Sequence, residues 1–268
     1  MKSKIFLKGP KFFDSSENKM KNEGDVLLAR SLFLKKRHNN VDFLLKERFS
    51  WMNKYLKSNM KIIEIGSGAG FSEFYLDIKP ILTDMIENPW IEKRIDALNI
   101  SYPEKSIDII IASHNIHHFS SPYKFFCECE KVLKPNGLII IQEINTSLIM
   151  RLLLHFMKHE GWSYDVDVFS KDTIANDPSD PWSANCAIPE LLFENEKKFT
   201  NVFKSFKFLL NKKNEGFIFP LSGGVISKTY MPEIPSWILK TVLKIDKLLI
   251  TFFPNIFAMG RSVVLQKI

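Results

Sequence analysis

At 268 residues, with 45% apolar and 25% charged residues, the chain has the composition of a globular protein and length for one large domain or two small ones. That excludes disordered, collagen-like and coiled-coil architectures. The excess of 37 Lys+Arg over 30 Asp+Glu gives a net charge of +7. An anionic partner is compatible with this charge, but the basic clusters Lys35-Lys36-Arg37, Lys197-Lys198 and Lys212-Lys213 are scattered, which disfavours a nucleic-acid track.

Residues 1–24 carry Lys, Asn, Ser, Gly and Pro with little period and read as a loose arm. Ile5-Phe6-Leu7 is cut off by Lys8, too short for a signal-peptide core. The cysteines Cys127, Cys129 and Cys186 are too few and odd in number for a disulfide scaffold, so a cytoplasmic location is expected. Cys127 and Cys129 sit two apart on a helix and read as packing residues. From 25 to 56 the pattern is helical. Val41, Leu44, Leu45, Met52, Tyr55 and Leu56 line one face, and Asn40 is placed as a cap. Residues 1–60 are thus an arm and a helical lead-in.

A strand over 61–65 is followed by glycines and a short helix at 74–76, then by a second strand over 81–84 and, after Asn88-Pro89, a short third strand over 94–96. The fourth, 107–112, is a nearly continuous isoleucine run, as a strand covered on both faces requires. Ser121-Pro122 opens a helix as N-cap and first residue, Lys134-Pro135-Asn136-Gly137 stops it, and a fifth strand spans 138–141. Strands separated by single helices run parallel with right-handed crossovers, so 61–145 is an α/β, doubly wound sheet. Beyond 145 the spacing predicts a helix over 147–159 closed by Gly161, irregular polar chain over 162–200, and late strands at 206–210, 217–219 and 262–266. An apolar helix over 237–250 separates the last two. Residues 146–268 form a substrate-side insertion and the closing strands of the same domain, and a long insertion of this kind is usually functional.

The chemistry concentrates in Glu64-Ile65-Gly66-Ser67-Gly68-Ala69-Gly70, straight after the first strand. Glycines at alternate positions let the backbone turn sharply and let a ligand lie against it. A nicotinamide fingerprint needs a third glycine where Phe71 stands, which counts against a dinucleotide and leaves an NAD(P)-dependent oxidoreductase as the rival reading. With its acid before G-x-G-x-G, the segment 61–145 resembles the class I S-adenosylmethionine-dependent methyltransferases. The resemblance implies a Rossmann-like sheet of seven strands with S-adenosyl-L-methionine as cofactor. Glu64 would give the ammonium a counter-charge, and Gly66, Ser67, Gly68 and Gly70 would form the cofactor loop. Asp84 would hold the ribose, with Glu87 as its rival. Asp96 and Ala97 would meet the adenine, whose face Trp90 could cover, and Ser113 and His114 would lie beside the methionine end. Lys134-Pro135-Asn136-Gly137 is similar to that family's usual turn. Amino-methylating DNA enzymes carry Asn/Asp-Pro-Pro-aromatic after the fourth strand, where this chain reads Ser113-His114-Asn115-Ile116, so a nucleobase acceptor is disfavoured.

His114, His117 and His118 crowd the loop after the fourth strand, where ligands bind in such sheets. No Cys or carboxylate stands beside them in sequence, so a substrate-facing or general-base role is expected rather than a metal. Arg151, His155 and His159 recur every fourth residue and form a second polar stripe, facing pocket or solvent. Methyl transfer mainly requires alignment and exclusion of water; a hydroxyl acceptor adds a use for a histidine base. The helix over 237–250 borders an apolar face with Lys240, Lys244, Lys247 and Thr251, which suits a peripheral contact with an anionic membrane, or packing on the sheet. The expectation is a methyltransferase acting on a small or lipid-linked acceptor, through oxygen rather than nitrogen. A non-catalytic cofactor-binding interaction protein is the other alternative.

Overall fold

The strands that the isoleucine runs predict form the centre of the sheet. The computed structural model describes residues 25–157, 160–225 and 230–268. Its sheet has seven strands in the order β3-β2-β1-β4-β5-β7-β6. These are β1 Ile62–Ile65, β2 Ile81–Asp84, β3 Lys93–Arg94, β4 Ile107–Ser113, β5 Leu133–Ile144, β6 Phe206–Asn214 and β7 Gly260–Lys267. The first five run parallel, and β7 runs antiparallel to both β5 and β6. Order reverses between β1 and β4, and ligands of such sheets bind beyond the strand ends at that point.

Side chains alternate between two cores, as a strand's period of two demands. Ile63, Ile65, Ile110, Ala112, Ile139 and Ile141 pack with Phe125, Phe126 and Cys129 of α3 (Pro122–Val132) and with Phe193, Phe199 and Phe203 of the insertion. Ile62, Ile109, Ile111, Leu138 and Ile140 face the other way, toward Phe33, Leu45, Phe49 and Met52 of the lead-in. Ser121 caps α3 by accepting from Lys124 N, with Pro122 in the first turn, as expected. The cysteines are free, with Cys129 and Cys186 buried.

Several boundaries differ from the sequence expectation. The lead-in breaks into α1 Val26–Lys35, α2 Asn39–Phe49 and a 3₁₀ turn Ser50–Tyr55, and Asp25 caps α1. Asn40 lies inside α2 rather than capping it. Its amide donates to Leu221 O (2.8 Å) and Pro232 O (3.0 Å) and accepts from Ile234 N, so tertiary partners claim it. After the glycines comes only a 3₁₀ turn, Phe71–Phe74, because Tyr75 turns out toward α2, stacking on Phe49 and donating to Asp42. The third strand ends at Arg94, and Ile95 and Ala97 turn into the core. The fifth strand begins at Leu133, paired with Ile107, and carries the turn residues as an irregularity with Asn136 at φ 63°. Residues 162–200, expected to be irregular, include α5 Ile188–Phe193 and most of α6 Glu196–Val202; their phenylalanines fill the core. The expected strand at 217–219 is a helical turn, α7 Ile218–Leu221, because the Asp246 carboxylate accepts from Phe217 N (2.8 Å) and Ile218 N (2.9 Å) and starts it. The predicted helices appear as α4 Leu148–Met157 and α8 Ser236–Phe252, and α9 is a turn, Pro254–Phe257. His159 lies outside the described residues, and no described helix is long and apolar enough to cross a membrane.

Candidate functional site

The loop after β1 is shaped by glycines at positive φ. At Gly66 (φ 63°) a Cβ would stand 2.7 Å from Asn115 Nδ2, so the backbone there is pressed against the loop after β4. At Gly68 (φ 51°) no atom lies within 4 Å of where a Cβ would be, and that open space belongs to a cavity. The loop is fixed from the other side. Trp90 Nε1 donates to Gly68 O (2.8 Å), Arg30 Nη1 donates to Ala69 O (2.6 Å), and the Arg30 guanidinium lies over the Trp90 ring. Ser67 Oγ accepts from Thr83 N (3.1 Å) and donates to Glu64 O (3.2 Å), tying the loop to β2. Asp84, closing β2, accepts from Gly68 N (2.8 Å) through Oδ2 and from Ile86 N (2.9 Å) through Oδ1.

The cavity holds about 620 Å³, within the size range of small-molecule sites. Of the residues expected to bind cofactor, it brings together Gly66, Gly68, Asp84, Asp96, Ala97 and His114, and of the further histidines it adds His118. Glu64, Ser67, Gly70, Ser113 and His117 are not on its wall. Gly70 faces Arg30 and Trp90, so Trp90 lies under the loop rather than over the cavity. Glu87 is exposed away from the cavity, and His155 is exposed on α4. Glu64 is buried, where it accepts from Ser72 Oγ; burial pushes its carboxyl up to about 7 against the hydrogen bonds from Ser72 and Ser67.

The three histidines are held differently. His114 is at φ 51°, donates its backbone N–H to Gln142 O (2.8 Å), and has a buried Nε2 with no partner among the described residues. Burial, then Arg48 and His117, hold it well below the ordinary histidine range. His117 Nδ1 lies 2.6 Å from Glu143 Oε2. Glu143, fully buried on β5, also accepts from Asn115 N (2.7 Å), Ile116 N (2.6 Å) and Ile144 N (3.2 Å). Burial alone would lower His117, but Glu143 and Glu160 together outweigh it and push the imidazole up to about 10. His118 is lowered to about 4 by burial and by the neighbouring His117. Its Nδ1 lies 3.1 Å from Ser183 O, which can only accept, so Nδ1 carries the proton and Nε2 the lone pair.

Sequence reasoning missed the contribution of the insertion. Asp177, Asp180 and Trp182 line the cavity, as does Asp25 from the lead-in. Asn176 Nδ2 donates to His117 O (2.8 Å) and Phe119 O (3.0 Å), Asn185 N to His117 O (2.8 Å), and Ala175 N to Ser120 O (2.7 Å). The acids beside Pro178 and Pro181 were the available signal, and Glu143 was visible as an acid ending an apolar strand.

Residues 63–141 match the family model described as a methyltransferase domain. The matched segment, which runs from β1 into β5 and includes the glycine loop and Asp84, reads as a methyltransferase domain. Phe71, where a dinucleotide fold would place a glycine, is buried with its ring 4.6 Å from that of Phe33. A search of curated proteins found no match. Among solved structures, the chain is similar to a SAM-dependent methyltransferase from Archaeoglobus fulgidus, with 15% identity over 93% of this chain and 97% of that one and a TM-score of 0.44. It is also similar to a SAM-dependent methyltransferase from Thermotoga maritima (15% identity, 90% and 99% covered, TM-score 0.48). A protein from Pyrococcus horikoshii gives 17% identity, 88% and 91% coverage and a TM-score of 0.44.

Proposed function

We propose that the chain transfers the methyl group of S-adenosylmethionine to a hydroxyl of a lipid-linked acceptor at an anionic membrane surface. The observation that carries the transfer reading is that one cavity is lined by Gly68, Asp84 and Asp96 together with His114 and His118. The bound sulfonium supplies an already activated methyl group; the chain supplies position, dryness and a place for the acceptor's proton. In this reading Asp84, braced by two backbone donors, receives the ribose hydroxyls. Asp96 accepts from the adenine amino group, and Ile95, Ala97 and Leu98 give its ring an apolar wall. Gly68 leaves the backbone open to the cofactor, while Gly66, Ser67 and Gly70 hold the loop. Glu64 gives the ammonium its counter-charge from behind the wall. Ser113 acts through the backbone that sets His114. The acceptor enters past Trp182 and Asp177, and its hydroxyl proton passes to His118, whose ring lines the cavity and whose Nε2 keeps the lone pair.

The lipid-linked acceptor rests on α8. Trp237, Ile245, Leu248 and Phe252 are exposed in one row, with Trp237 at 69% and Phe252 at 67%, and Phe253 and Ile256 continue it. Lys240, Lys244 and Lys247 are exposed beside them, and the one acid of the helix, Asp246, is buried on the opposite side. A greasy row edged by cations and by no acid complements an anionic bilayer. Incubation with methyl-labelled S-adenosylmethionine and membrane lipid extract, followed by solvent partition and mass spectrometry, tests the reading. Label in a lipid-phase ether is expected. Label confined to water-soluble products, or to nitrogen, would overturn it.

A further inference from the structure

Two imidazole nitrogens and a carboxylate gathered in one place exceed what a single proton transfer requires. His117 Nε2 lies 3.7 Å from Glu160 Oε2, and His118 Nε2 lies 3.9 Å from Glu160 Oε1. One ligand atom from each residue lies within 4.8 Å of the others. Across a tetrahedral zinc with bonds of about 2.0 Å, ligand atoms stand about 3.3 Å apart, so the two histidine–carboxylate separations of 3.7 and 3.9 Å would close by about 0.4 and 0.6 Å as the side chains draw in on the ion. We propose that His117, His118 and Glu160 bind a zinc ion at the acceptor end of the cavity, with the open coordination position toward the cavity.

The outer partners argue for a built site. A metal-binding histidine characteristically gives its second ring nitrogen to a carboxylate or carbonyl, which fixes the tautomer and the ring plane. Here His117 Nδ1 is held by Glu143, itself saturated by three backbone donors, and His118 Nδ1 is held by Ser183 O. The third ligand has its own partner, since the Cys186 thiol donates to Glu160 Oε2 (3.1 Å). Each candidate ligand is thus oriented from behind, and the donor set of two histidines and one carboxylate is one that leaves catalytic zinc a free position. His118 lines the cavity, whereas His117 lies deeper, so the ion would sit at the wall. This assignment goes beyond the methyl-transfer reading; its use in catalysis rests on that reading. With the ion bound, His118 would no longer take the proton: an acceptor hydroxyl on the ion would lose it to water, form the new C–O bond with the freed oxygen pair, and leave the C–S bond electrons on sulfur.

The full chain, stripped with a chelator, would be titrated with ZnCl₂ by calorimetry and with CoCl₂ by visible absorption. One zinc per chain and tetrahedral or five-coordinate Co²⁺ bands are expected. Glu160→Gln and His118→Asn should each weaken zinc binding by about tenfold or more while the metal-free chain still unfolds in one cooperative transition. Because His117 is buried and its replacement endangers folding, Glu160→Gln carries the decision. No stoichiometric zinc, binding that survives both variants, a loss that follows His155→Ala instead, or binding of Mg²⁺ or Mn²⁺ without Zn²⁺ would each overturn the assignment. These readouts do not use activity, so a chain that methylates lipid without zinc and one that binds zinc without methylating lipid are told apart.

Discussion

Replacing Glu64 with glutamine isolates the largest carboxyl perturbation beside the cofactor loop. The side chain is buried under the glycines, with Ser72 Oγ as its side-chain donor, and burial raises the carboxyl from 4.5 to about 7. The folded chain therefore keeps this proton in a range where the unfolded chain has released it. The stabilisation is complete below pH 4.5 and is lost as pH rises through about 7. At about 1.4 kcal/mol per tenfold change in proton affinity, the loss amounts to about 3 kcal/mol. Glutamine keeps the shape and the hydrogen bond and does not titrate. Urea unfolding of both proteins from pH 4.5 to 8, without cofactor, should show Glu64→Gln gaining on the parent by about 3 kcal/mol across the range. Groups common to both proteins cancel in the difference. A difference flat with pH would refute the argument that burial controls this carboxyl.

Asp84→Ala should weaken S-adenosylhomocysteine binding by about tenfold or more in calorimetry, since it removes a charged acceptor, whereas Glu87→Ala should change it less than about twofold. The reverse order would assign the ribose to the wrong acid. Gly68→Ala should lose cofactor affinity while costing only about 1–2 kcal/mol of stability, because the new methyl meets open space. Gly66→Ala should cost more stability, because Asn115 must move; thermal melts with and without cofactor separate the two cases, and equal losses would contradict the geometry. For α8, replacing Lys240, Lys244 and Lys247 with glutamine should reduce binding to phosphatidylglycerol vesicles by about tenfold or more, at about 1 kcal/mol per cation. Vesicle sedimentation that ignores this change, or that is equal on neutral phosphatidylcholine, would count against the membrane surface.

The cofactor end of the cavity was legible because its constraints are local. A strand ending in Glu64-Ile65-Gly66 announces a turn, and Asp84 announces itself by closing the next isoleucine-leucine run. The acceptor end was not legible, because its geometry is made by partners far apart in the chain. Nothing near His117 in sequence supplies a carboxylate, yet the fold brings Glu143 from β5 and Glu160 from the insertion against it. The same cause explains Phe217: its strand-like neighbourhood is overruled by Asp246, whose carboxylate starts a helical turn across the chain. Asn40 read as a cap for want of any sign that residues 221–234 would claim its amide. Local periodicity placed the elements well, and it failed where one remote polar group fixed a backbone.

The two asparagine stitches, Asn176 and Asn185 to the His117 carbonyl, bear on how the proposed acceptor site could be altered. The segment that would recognise the acceptor and the loop that would perform the proton chemistry share hydrogen bonds, so neither can be retuned alone. A chimera that imports a foreign stretch over 160–185 without an asparagine at 176 would lose the side-chain donor to His117 O and Phe119 O, unless it also brings its own loop after β4. Under the proposed reading, the insertion and the histidine loop would change together as a paired cassette.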